Sequence, residues 1–123
     1  MQRKPSYETL YKRFIAGVDK TRTIDYLDRA SIRRNNAGVD QYRKAAKQIG
    51  ELYPERIDDF AILLKSDDRK LRKCCAICMV DLMNLSDEQY DRAYSTAYEI
   101  YLSCTDRIEI IHTEYWLEKN KKK

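Results

Sequence analysis

Four cysteines and one histidine are the side chains of this 123-residue chain that would most readily form a zinc site or supply a thiolate nucleophile or imidazole base. Cys74, Cys75 and Cys78 are clustered, and Cys104 follows well downstream. A zinc site needs ligands that converge tetrahedrally, which loops and knuckles supply. On a helix Cys74 and Cys78 share a face while Cys75 points about 100° away. Packing as small, soft core residues is therefore the expectation, and no metal is expected. His112 stands between Ile111 and Thr113 without a Ser or Cys motif beside it, which suits an ordinary helix histidine better than a general base. The sequence has no glycine-rich phosphate loop, nucleophile elbow or His-Glu-x-x-His helix. The chain is expected to be non-catalytic, with no cofactor and no small-molecule substrate.

Recognition chemistry is better represented. Ten tyrosines and one tryptophan stand against two phenylalanines. Tyr90, Tyr94, Tyr98 and Tyr101 recur along a stretch that otherwise carries acids. Most of that stripe keeps the core-facing period, with hydroxyls reaching water at its edge. Tyr98 falls off the period and is expected to be exposed. With Glu88, Asp91 and Glu99 it forms the candidate partner-binding face, because tyrosines are frequent anchors of protein interfaces. A basic stretch, Arg33, Arg34, Arg43, Lys44 and Lys47, is followed by Arg69, Lys70 and Lys73. Solvated helix faces ordinarily look like this. Were the two helices adjacent, the cations could form one patch suited to phosphate backbones or to an acidic protein.

The formal charge of +4 conceals a split. Residues 1–50 carry twelve Lys/Arg against five Asp/Glu, and residues 85–118 carry two against eight. Such asymmetry bears on partners and steering rather than on fold.

These residues need elements to hold them. Three glycines and two prolines are too few for a many-turned β-sandwich, so long helices with short polar connections are expected. Ser6 is placed to cap a first helix carrying Tyr7, Leu10, Tyr11, Phe14 and Val18, with Gly17 near its stop. A thin apolar stripe marks a second segment over 23–34, and Asn35 to Gly38 reads as a turn or a weak helix centre. Val39, Tyr42, Ala46, Ile49 and Tyr53 define a helix that Pro54 ends. Ile57, Phe60, Ala61 and Leu64 give a short one. After the polar connection 65–68, a helix over 68–84 is apolar nearly all round from Cys74 to Met83 and belongs in a core. Ser86 and Gln89 spell a capping box for the tyrosine helix. Thr105 and Asp106 start a last helix with Ile108, Ile111, Tyr115 and Leu117 expected inward, and residues 118–123 are expected to fray.

The longest apolar run, 74–80, is far short of the ~20 residues of a membrane span. The N-terminus, Met1-Gln2-Arg3-Lys4, has no apolar run behind its charges, so no signal peptide is expected. A soluble, cytoplasmic chain with reduced cysteines and no membrane partner is the expectation.

Residues 60–82 resemble one HEAT repeat: paired Leu63 and Leu64, Asp67 in the turn, Leu71-Arg72, small residues Cys75 and Ala76, and a closing Leu82. In such a hairpin the small residues let helices approach closely, turn carboxylates cap the second helix, and Arg72 can pair with an acid of the neighbouring hairpin. Over 20–118, Asn35 and Asn36, Tyr42-Arg-Lys-Ala-Ala-Lys-Gln-Ile49, Leu52-Tyr-Pro-Glu55 and Tyr115-Trp-Leu-Glu118 resemble small bacterial HEAT-like domains. Some of these are suggested to be immunity proteins that neutralise polymorphic or contact-dependent toxins. The cysteine-rich hairpin interior departs from that pattern, and only one hairpin repeats it well. The resemblance implies an all-α, HEAT/ARM-like right-handed stack of about six to seven helices in a single domain over 1–123.

It also implies a cognate toxin domain as partner, occluded by a rigid charged face. Against a nuclease toxin, whose groove is basic, the face with Glu88, Asp91, Tyr98 and Glu99 is the expected one. The alternatives are nucleic-acid binding through the basic N-terminal half, or a scaffold subunit.

Overall fold

The computed structural model describes residues 4–122; Met1, Gln2 and Arg3, on which the signal-peptide expectation partly rests, lie outside them. The described chain is all-helical, 78% helix without a strand, with six α-helices in order. None of its helices is long and apolar enough to cross a membrane. Backbone contacts cluster in two compact units, Met1–Phe60 and Ala61–Lys123.

In the first unit, α1 (Tyr7–Asp19) begins where Ser6 Oγ accepts the Thr9 amide at 3.1 Å, and buries Tyr7, Leu10, Phe14 and Val18. Helix α2 (Arg29–Leu52) runs unbroken for 24 residues. Two expectations change here. The 23–34 segment is helical only from Arg29, because Asp28 caps it through the Ala30 amide and the Ser31 hydroxyl accepts the Asp25 amide at 2.8 Å, fixing a non-helical connection. Of the two readings of Asn35 to Gly38 the helical one holds, whereas Gly17 lies inside α1 rather than stopping it. The two glycines mark the α1–α2 crossing: a Cβ on Gly17 would lie 2.7 Å from the Tyr42 backbone nitrogen, and one on Gly38 would lie 2.6 Å from the Gly17 carbonyl oxygen. Close backbone approach explains both. Pro54 ends α2 as expected and opens a 3-10 turn leading into α3 (Ile57–Phe60). The Phe14 and Phe60 rings meet edge-on at 4.9 Å, sealing a core completed by Ala45, Ala46 and Ile49.

The second unit opens with a 3-10 turn, Ala61–Lys65, that buries Ala61, Leu63 and Leu64. Asp68 then caps α4 (Arg69–Leu82), and no residue from Cys74 to Val80 is exposed. Helix α5 (Asp87–Leu102) starts at a complete capping box, Ser86 with Gln89, and packs on α4 through a face where Ala93, Ala97 and Ile100 are buried. Small residues on both sides permit the close approach. Helix α6 (Arg107–Asn120) starts at Asp106, whose carboxylate accepts the Glu109 amide at 2.9 Å.

The last helix departs from expectation. It turns Leu117 inward as expected, together with Thr113, but leaves Ile108, Ile111 and Tyr115 outward. Periodicity located an apolar stripe correctly but not the side on which the protein lies. The helix also persists to Asn120, further than the frayed tail expected over 118–123; Lys123 lies outside the described residues.

Candidate functional site

A groove runs between α5 and α6. Spacing by three and four residues puts Tyr90, Tyr94, Tyr98 and Tyr101 along one side of α5. Tyr94 donates its hydroxyl to the Leu117 carbonyl at 2.8 Å, and Tyr90 donates to the Asn120 carbonyl. These are among the carbonyls that the end of α6 leaves without helical partners. Two tyrosines thus fasten the end of α6 to α5. Their rings stack 6.1 Å apart, and Trp116 stacks on Tyr94 at the same distance while donating its indole N–H to Asp81. Tyr98 is 47% exposed, as its place off the core period predicted.

Around the rings stand four carboxylates: Asp91 and Glu99 from α5, Glu114 and Glu118 from α6. The Glu114 charge raises the pKa of Tyr101, and burial first, then Glu118, raises that of Tyr94. Both phenols are held further from ionisation than usual, so these two rings present neutral π faces beside the carboxylates.

One end already holds a cation. The Lys122 ammonium sits 4.3 Å from the Tyr90 ring centroid and 2.8 Å from Asp87 Oδ1. Its hydrogen bond lowers the Asp87 pKa and raises its own. Both groups are well exposed, so the pair adds little stability. It shows instead what the local chemistry accommodates: an ammonium over an aromatic face beside a carboxylate.

The sequence-predicted acidic face is therefore brought together in part. Tyr98, Asp91 and Glu99 line the groove. Glu88 does not; it pairs with Arg92 at 3.1 Å and borders a separate depression between the 61–65 turn and α5, which Asp91 and Glu99 also edge. Sequence reasoning missed Glu114, Glu118, Asp87 and Lys122. The i, i+4 pair Glu114 and Glu118 was the available signal, but only the α5–α6 pairing makes it face the tyrosines.

The basic candidates fare differently. On α2, Arg33, Lys44 and Lys47 fall on one side, with Asp40 and Glu51 interleaved, and Lys47 pairs with Glu51 at 3.9 Å. Arg34 points elsewhere and bonds the Thr23 carbonyl at 3.4 Å, and Arg43 lies on the other flank. That surface alternates in sign rather than forming a positive stripe.

In the second unit Arg69 and Lys73 are drawn onto Glu109. Arg69 grips both carboxylate oxygens, at 2.8 and 3.1 Å, and Lys73 stands at 2.7 Å. Cys104 donates its thiol to Glu109 at 3.2 Å and accepts from Arg69 at 3.2 Å. Arg69 foremost, then Lys73 and Cys104, hold the Glu109 pKa at about 2, while burial and the Glu109 bond push the Cys104 thiol up. The long-range ion pair that the HEAT resemblance implied for Arg72 is thus not formed by it; Arg69 forms one, from α4 to α6. Arg72 instead donates to the Ser66 carbonyl of its own turn at 2.8 Å. Lys70 lies beside them, half-buried. Cys74, Cys75 and Cys78 are buried in α4, and burial raises the Cys75 pKa far enough to keep it a thiol.

Compared with protein-family models, curated proteins and solved structures, the chain matches none of them.

Proposed function

We propose that this chain is a non-catalytic protein-binding module that receives a basic segment of a partner protein in the α5–α6 groove. The observation that carries this reading is the groove itself: tyrosine faces and four carboxylates in line, with a lysine ammonium already seated on Tyr90 and Asp87 at one end. Lysine or arginine side chains of a partner would meet the same pairing of π face and anion along the rest of its length. The capped α4–α5 hairpin, with small residues at its packed face, supports a HEAT-like scaffold. A stiff scaffold with one charged face suits an inhibitor that works by occlusion. The proposal extends to an immunity-type protein that covers the basic substrate groove of a cognate toxin in the cytoplasm.

The test is co-purification of the tagged protein with the product of the adjacent gene, followed by size exclusion at moderate salt. A one-to-one complex free of nucleic acid is expected, and reversing charge at Asp91 and Glu99 together should dissolve it. A complex that forms equally well with both charges reversed would remove the groove from the interface. A peak rich in nucleic acid would replace the reading with one based on the N-terminal half.

A further inference from the structure

Helix α6 exposes an apolar stripe that nothing within its own unit covers. Ile108 is 66% exposed, Ile111 59% and Tyr115 71%, and they succeed one another by three and four residues on the side away from Thr113 and Leu117. Leu102, 65% exposed, precedes the short turn into α6. A row of large apolar side chains in water marks an interaction surface rather than a solvated helix back.

The charges beside the stripe say what fits it. Arg107 and Glu114 are seven residues apart, close to two full turns, and so lie on the same flank. When two copies of one helix pair antiparallel, each flank meets its own counterpart reversed. Arg107 of each copy then stands opposite Glu114 of the other, twice over. The same operation lays Ile108 on Ile111 of the second copy. It also carries Tyr115 towards the turn that leads into α6, so three exposed apolar side chains are covered at once.

We infer that α6 is the contact of a two-fold dimer, the occupant of its stripe being a second copy of this chain packed antiparallel. The interface is isologous, as closed two-fold assemblies require. Built on one helix and its preceding turn, it falls at the small end of specific interfaces, and the association is reversible and concentration-dependent.

Sedimentation velocity of the full chain from ~5 to ~500 µM tests this, since a small interface dissociates in about that range. The expected result is a monomer giving way to a dimer. Ile111→Glu should stay monomeric with an unchanged melting temperature, since the side chain touches solvent and not the core. Arg107→Glu and Glu114→Arg should each weaken association about tenfold, and the double swap should restore it to within about threefold. Rescue by the double swap reports on this pairing and not on general stickiness. A monomer throughout the range overturns the inference. So does a dimer indifferent to Ile111→Glu, or a double swap no better than the single ones. Ile111→Glu separates this inference from the groove proposal, because Ile111 does not line the groove; Glu114 does, so its variants are read for self-association alone.

Discussion

Arg69 and Glu109 lie forty positions apart and form a two-pronged ion pair, the guanidinium holding both carboxylate oxygens at 2.8 and 3.1 Å. The pair ties the first turn of α4 to the first turn of α6, with Lys73 and the Cys104 thiol completing the shell around the carboxylate. Two cations of the basic stretch are thereby held by a carboxylate of their own chain.

The pair makes stability depend on pH. Glu109 titrates at about 2 in the folded protein against an ordinary value of 4.5, so its contribution is complete above the unfolded value and is lost as pH falls through about 2. We predict that Glu109→Gln costs about 2 kcal/mol at neutral pH, most of it from leaving Arg69 and Lys73 without their shared anion. The gap between variant and parent should narrow below pH ~4 and close near pH ~2. Urea unfolding at a series of pH values measures it; a gap of constant size across that window would show that the carboxylate is not the stabilising group.

The glycine crossing gives a second prediction. Alanine in place of Gly38 gains about 1 kcal/mol of helix propensity. Its methyl group, however, would sit 2.6 Å from the Gly17 carbonyl oxygen, a backbone atom that cannot swing aside. The clash should win, with Gly38→Ala and Gly17→Ala each destabilising by about 2 kcal/mol or more. Thermal unfolding of the two variants decides it, and a raised melting temperature in either would mean that α1 and α2 are not in backbone contact there.

Much of this architecture is legible in the sequence, and the reasons for what is not are physical. Caps are local chemistry, so Ser6, the Ser86–Gln89 box and the Pro54 stop can be read directly, as can the apolar stretch of α4 from Cys74. Among the polar residues before α4 the sequence favours Ser66 or Asp67 as cap, and the structure uses Asp68. Gly17 and Gly38 are not local: a glycine that permits close approach looks like a breaker until its partner helix is in view. The start of α2 was obscured because Asp25, Asp28 and Ser31 compete with helix for backbone amides, while the residues around them keep a helical period. On α6 the period is satisfied by either of two faces, and only the placement of α5 selects Thr113 and Leu117. The same limit applies to the groove. Its α5 half, Tyr98 with Asp91 and Glu99, follows from one helix, whereas Glu114 and Glu118 join it through pairing.

The tyrosines should separate by role. Tyr94 holds the Leu117 carbonyl, so Tyr94→Phe is predicted to cost about 1 kcal/mol of stability. Tyr98, exposed and off the core, should leave unfolding unchanged when replaced by alanine yet weaken partner binding about tenfold, as truncated interface tyrosines do. Parallel melting and calorimetric binding experiments test both halves. Loss of stability without loss of binding in Tyr98→Ala would reassign that ring to the scaffold.

Thr113 offers a prediction of the opposite sign. Its side chain is buried in α6 with a hydroxyl oxygen that has no hydrogen-bond partner. Burying a hydroxyl without a bond costs free energy that an isosteric methyl does not. Valine matches the shape of threonine and places a methyl where the oxygen stood. Its lower helix propensity is comparable to that of threonine, so propensity nearly cancels. Thr113→Val should therefore stabilise the protein by about 1 kcal/mol. Chemical denaturation should show the midpoint rising with its slope unchanged, since the surface exposed on unfolding is the same. A midpoint that falls would mean the hydroxyl is bonded in solution, most simply to a carbonyl one turn back on its own helix.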